Sequence, residues 1–242
     1  LTDHALHLGG SSNIYVEGVI LNYTKVGVMA NPTTGSYKNI TINNCDFNYI
    51  WNTGSKGRSE GIYIGATNLS TRKNGGDFEN VTVSNCRFNN LSGDAIQIAL
   101  THNARVLNNV IKNYGDSNLI EQRSAIIMGG ANTSSLVQGN YIQGGTGSPF
   151  QFFGTGTAWF DNNTAIDCAT SANEDGFYIG NRPNDSVPKV HITNNKINKV
   201  ARAFIKEEKV GVVLTNTGNQ FGGVVVPPVI TPPVRVDSVT KA

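Results

Sequence analysis

One unit recurs eight times along this chain, and no other feature limits its possible folds as tightly. The first segment of each copy reads HALHLG (4–9), VGVMAN (26–31), EGIYIG (60–65), DAIQIA (94–99), SAIIMG (124–129), SPFQFF (148–153), DGFYIG (175–180) and, more weakly, RAFIKE (202–207). A second segment follows in each: NIYVEGVIL, NITINNCDF, NVTVSNCRF, NARVLNNVI, SSLVQGNYI, AWFDNNTAI, KVHITNNKI and GVVLTNTGN. Alternate residues are apolar, as with Leu6 and Leu8, Ile62 and Ile64, Ile96 and Ile98, Phe177 and Ile179. A period of two with one apolar face marks a β-strand. A unit this small cannot bury that face alone, so it must stack on copies of itself. Short strands, sharp corners and a repeat of roughly 22–34 residues describe an all-β solenoid, a parallel β-helix of about eight coils.

Composition agrees with strands and tight corners. Asparagine is the commonest residue, with 31 copies, and there are 27 glycines. Val, Ile, Thr, Tyr and Phe fill the periodic segments, as strands prefer, and no stretch has the periodicity of an amphipathic helix. A net charge of +2 with 15% charged residues supplies no basic field for nucleic acid. No run approaches the ~20 apolar residues of a membrane span, and the residues from Leu1 onward do not read as a charged-then-apolar leader. Three cysteines are too few for a disulfide scaffold and are not spaced as a zinc site.

Registering the second segment on its last apolar residues puts Gly18, Asn44, Asn85, Asn108, Gly139, Asn162, Asn194 and Asn216 in one column. Asn tolerates left-handed backbone angles, and its amide can bond the same amide one coil away, about 4.8 Å off. That column is expected to form an asparagine ladder. The next column holds Cys45 and Cys86, then Asn109, Asn140, Asn163 and Asn195. A Cα separation of about 5 Å lies within disulfide range, but Cβ bonds aimed in parallel favour stacked, buried thiols.

The stacked apolar strands, the Asn column and the (E/D)-G-I-x-I strand starts resemble the right-handed parallel β-helix repeat proteins of the pectate-lyase superfamily, from Asp3 to about Gly223. The resemblance implies a right-handed β-helix over residues 1–223 and a secreted or cell-surface module that interacts with a polysaccharide or surface glycan. Where such a module is catalytic, the implied chemistry is that of a polysaccharide lyase or glycoside hydrolase. A non-catalytic adhesin, stalk or scaffold domain of a larger secreted protein is the alternative. The relatives' catalytic motifs do not carry over. Of the polygalacturonase-like set only NEDG (Asn173–Gly176) comes near NTDG, and both RxPxxR and DPHE are missing. Leu1 starts within a strand-like unit, so further coils are expected upstream. Residues 224–242 contain two Pro pairs, which favour extended backbone. They are expected to be a linker tethering further domains, or a tail capping the last coil.

Such relatives bind extended glycan along the first sheet, whose outward column here is His7, Met29, Tyr63, Gln97, Ile127, Gln151 and Tyr178. Tyr63 and Tyr178 can stack on sugar rings while Gln97 and Gln151 bond hydroxyls; an ordinary solvated strand face is the competing interpretation. Three residues before Tyr63 and Gln97, Glu60 and Asp94 occupy adjacent coils, with backbones expected about 5 Å apart. They can serve as acid and nucleophile of a retaining glycosidase, hold Ca²⁺ for a lyase, or accept corner N–H groups as structural caps. Lys56, Arg58 and Arg123 lie in nearby corners, where they can neutralise a uronate or act as base. A second cluster joins Glu174, Asp175 and Arg182 to Lys206, Glu207 and Glu208 one coil on, with Lys206 falling at an inward position. Loops 51–59, 66–79 and 114–123 discriminate the readings: walling one groove over Tyr63 and Gln97 favours an enzyme, and splaying onto different faces favours a binding module or stalk.

Overall fold

The computed structural model describes residues 4–32, 34–51, 59–65, 77–116, 122–180, 187–208 and 211–223. Three parallel sheets of eight strands stack along one axis, and each coil gives one strand to each sheet. The first sheet runs through His4–His7, Val26–Ala30, Ile62–Ile64, Ile96–Ala99, Ile126–Gly129, Phe150–Phe152, Phe177–Ile179 and Ile205–Glu207. The second extends from Ile14–Glu17 to Val213–Thr217, and the third from Ile20–Asn22 to Gln220–Phe221. This is the parallel β-helix of eight coils expected from the repeat. The Pro-rich tail lies outside the described residues. Among the described residues no helix is long and apolar enough to cross a membrane.

Inward side chains from the three sheets meet in one continuous core that includes Ile62, Ile64, Ile96, Ile98, Val83 and Phe88. Each such burial contributes about 1.5–3 kcal/mol. Bulk is balanced within each coil. A Cβ on Gly61 would lie 2.6 Å from the Ala95 carbonyl oxygen and 2.8 Å from a ring carbon of Phe88, and Gly27 meets Phe47 in the same way. Where this column changes to Ala95 and Ala125, the residues in register with Phe88 are the smaller Ile111 and Ile142. At Gly27 and Gly61 the small residue opening the first-sheet strand is thus the space taken by an aromatic ring. These two rings stack along the axis, Phe47 on Phe88 at 4.6 Å, and on the first sheet Phe150 stacks on Phe177 at 4.7 Å.

The corner between the second and third sheets separates two roles that the sequence assigns to one column. Gly18, Asn44, Asn85, Asn108, Gly139, Asn162, Asn194 and Gly218 take left-handed angles, with φ between 50° and 71°. The amide ladder stands one residue later. Asn109 donates from its main-chain N and its Nδ2 to Asn140 Oδ1, Asn140 does the same to Asn163, Asn163 to Asn195, and Asn195 to Asn219, at 2.8–3.0 Å. A left-handed corner places its own side chain outside, and the next residue turns inward where only other amides can satisfy it. The last coil is also displaced: Thr193 pairs with Thr217, which puts Gly218 rather than Asn216 in the left-handed column. Cys45 and Cys86 extend the ladder as free, buried thiols. The Cys86 main-chain N donates to Asn109 Oδ1 at 2.9 Å, and the Cys45 N lies 3.5 Å from Cys86 Sγ, so sulfur takes the acceptor's place. Hydrogen bonding between the thiols lowers the pKa of Cys45 and raises that of Cys86.

Two further left-handed columns run along the surface. Asn13, Asn39, Asn80 and Asn103 form a second ladder, each amide donating to the one before it at 2.8–3.2 Å. On the third sheet, Tyr23, Tyr49, Asn90, Asn113, Gly144 and Asp167 share φ values of 53–70°. Asn, Gly and Asp tolerate this region, whereas a side chain such as tyrosine costs about 1–2 kcal/mol there.

Candidate functional site

The outward column of the first sheet is in register as His7, Met29, Tyr63, Gln97, Ile127, Gln151, Tyr178 and Lys206. The alignment from sequence holds through Tyr178 and fails at the last coil. There Phe177 pairs with Ile205, not Phe204, so Lys206 faces outward beside Tyr178 rather than inward. The cause is local: Phe204 half-buries beside the core and stacks on Phe221 at 5.0 Å, leaving the strand to start one residue later.

Exposure along this column is graded. Met29, Tyr63, Gln97 and Ile127 are only 4–7% exposed. Gln151, Tyr178 and Lys206 are half-buried. The face is exposed at His7, closed from Met29 to Ile127, and opens again from Gln151. Phe153 meets Tyr178 edge-on at 5.6 Å, and the Tyr178 hydroxyl donates to Glu208 Oε2. Partial burial, and then the Glu208 carboxylate, raise the Tyr178 pKa, so the phenol is a neutral donor. The segments that would wall a groove fall mostly at 52–58, 66–76 and 117–121, outside the described residues, as do Lys56, Arg58 and Arg182.

Glu60 and Asp94 are adjacent, as expected: the Gly61 N–H donates to the Asp94 carbonyl at 2.9 Å. Both side chains are buried, at 1% and 0% exposure. Asp94 Oδ1 accepts the Ser124 main-chain N–H at 2.7 Å, while its Oδ2 is buried without a hydrogen-bond partner. Burial, and then the charge of Glu60, push the Asp94 pKa well above its ordinary value. Through Oδ1 the Asp94 carboxyl caps the start of the next coil's first-sheet strand. Among the described residues no three His, Cys, Asp or Glu side chains gather to hold a metal ion. Arg123 is half-buried and directly precedes Ser124.

Asp175 is buried as well. The Arg202 guanidinium grips both its oxygens, and the Ala203 N–H donates to Oδ1 at 3.1 Å. Its neighbour Glu174 accepts from Ser148 at the main-chain N (3.0 Å) and at Oγ (2.6 Å), and Ser148 Oγ in turn accepts the Asp175 N–H at 3.0 Å. These two acids tie coils together. What remains open beside Tyr178 is an aromatic ring, the Gln151 amide, the Lys206 ammonium, the outer edge of Arg202 and the Glu208 carboxylate. This set suits a polar, ring-shaped ligand: it can stack, donate and accept. No protein family, curated protein or solved structure matches this chain. The link from Tyr178 to Glu208 was hidden in the sequence, because it depends on the one-residue displacement of the last coil.

Proposed function

We propose that this chain is a carbohydrate-interacting parallel β-helix module, akin to the pectate-lyase superfamily, that serves a larger secreted or cell-surface protein. The single observation behind this proposal is the opening of the outward column at Gln151, Tyr178 and Lys206. There an aromatic face, an amide and a cation come into line at the spacing of the coils. Aromatic faces flanked by a few fixed polar groups are what sugar recognition uses. Binding is favoured over cleavage, since Glu60, Asp94 and Asp175 are buried, with Asp94 capping the next coil and Asp175 held in an ion pair. The partner is a polysaccharide or surface glycan, and residues 224–242 are the proposed tether. The test is a panel of uronate and neutral polysaccharides, with and without Ca²⁺, scored together for retention, reducing ends and unsaturated ends. Retention without cleavage, weakened at least tenfold in Tyr178→Ala, is the expected result. Unsaturated ends would identify a lyase, and reducing ends alone a hydrolase.

A stalk or scaffold role is the second reading. It is favoured by two amide ladders and by stacked pairs of core rings, which fix the coils against one another. Failure of every glycan in the panel to bind would make it the better account.

A further inference from the structure

We infer a second glycan-binding site on the third sheet, a platform built from Tyr23 and Tyr49 for an uncharged sugar. The two residues share a column whose other members, Asn90, Asn113, Gly144 and Asp167, are types that tolerate its left-handed backbone. Tyrosine does not, and here it stands there on two successive coils. Burial in the core does not explain the choice. The side chains are 64% and 46% exposed, so neither fills a hole in the core. The rings stack on each other at 5.1 Å with planes 6° apart. Backbone strain held at two adjacent exposed aromatics marks a surface kept for contact rather than for folding.

The surroundings define the ligand. Asn22 and Asn48 precede the tyrosines and form an amide pair, with Asn48 Nδ2 donating to Asn22 Oδ1 at 3.0 Å. Asn89 and Asn90 continue the amides on the next coil. The flanking charges, Asp46 and Arg87, cancel in a two-pronged ion pair with Arg87 Nε 2.5 Å from Asp46 Oδ1 and Nη2 2.7 Å from Oδ2. A face of phenol rings and amides with its charges neutralised complements an uncharged polyol, whose C–H face stacks on a ring and whose hydroxyls meet the amides. Among the described residues of this register column the next cation is Lys112, one coil beyond Asn89, and it lies over the Tyr141 ring.

This platform lies on a different sheet from Tyr178, so the two sites are tested by separate variants. The experiment is affinity electrophoresis of the full chain in gels containing soluble β-glucan, xyloglucan, galactomannan or polygalacturonate, comparing wild type with Tyr23→Asn/Tyr49→Asn. Asparagine is the residue the neighbouring coils use, so the double variant should fold at least as stably, with an unchanged or raised midpoint of thermal unfolding. At least one neutral glycan should retard the wild type, and the double variant should bind it at least tenfold more weakly. Any retention that depends on Tyr178 should be untouched. The inference is overturned if no neutral glycan retards the wild type, or if the double variant is retarded equally. It is also overturned if sedimentation shows the tyrosines holding two copies of the chain together.

Discussion

Asn140→Ala should be among the most damaging single changes in this molecule, because Asn140 is a middle rung of a buried ladder. Its Oδ1 accepts from the Asn109 main-chain N and Nδ2, both at 3.0 Å, and its Nδ2 donates to the Val106 carbonyl at 2.9 Å and to Asn163 Oδ1 at 2.9 Å. Asn109 Nδ2 keeps the Val83 carbonyl, and Asn163 Oδ1 keeps the Asn140 main-chain N–H. The Asn109 N–H and the Val106 carbonyl lose their side-chain partner inside the protein. Each such buried group costs about 1–3 kcal/mol, so the variant should lose roughly 2–6 kcal/mol. That is a large share of the ~5–15 kcal/mol that holds a typical domain together. Asn140→Cys is the informative control, since sulfur already accepts an N–H in this column at Cys86. It should recover about half of the loss, because one of the two orphaned groups regains a partner. Urea unfolding of the three proteins gives both numbers. A loss below about 1 kcal/mol for Asn140→Ala, or equal losses for the two variants, would refute the assignment of the ladder to this column.

Two further outcomes are expected. The raised pKa of Asp94 means that the folded chain holds this proton more tightly than the unfolded one. Its contribution is therefore full below the ordinary carboxylate value of 3.8 and is lost as pH rises from there through the folded pKa. Asp94→Asn keeps the acceptor for the Ser124 N–H, so it should be more stable than wild type at neutral pH and should flatten that decline, as thermal unfolding across pH will show. Gly61→Ala should cost about 1–3 kcal/mol through overpacking against Phe88 and the Ala95 carbonyl, read from the denaturant midpoint; a neutral result would mean that the coil can widen.

Much of the architecture was legible because a stacked coil writes the same constraint eight times. The first-sheet register from His7 to Tyr178 followed from alternation and from the small residue at each strand start. It failed where one copy offered two solutions: Phe204 imitates Phe177, and Asn216-Thr217 imitates the paired residues of earlier corners. Asn219 carried the true register, as the residue that completes the amide stack. The ladder fell one column early because asparagine suits both a left-handed corner and an amide stack. Gly18 and Gly139 held the answer, since a glycine interrupts any amide stack that runs through its column. The candidate site was less legible. Period two says that Tyr63 and Gln97 point away from the core, yet whether an outward face is open depends on what packs over it. Nor does alternation distinguish a carboxylate that waits for substrate from one that caps the next coil, as Asp94 does.

The most direct test of the glycan-binding account is hydroxyl-radical footprinting of the intact chain, with and without the best-retained glycan of the panel. The account predicts protection at Tyr178 and Phe153, with Trp159 on the second sheet unchanged. Protection confined to the second sheet, or none at a glycan concentration that saturates retention, would contradict it.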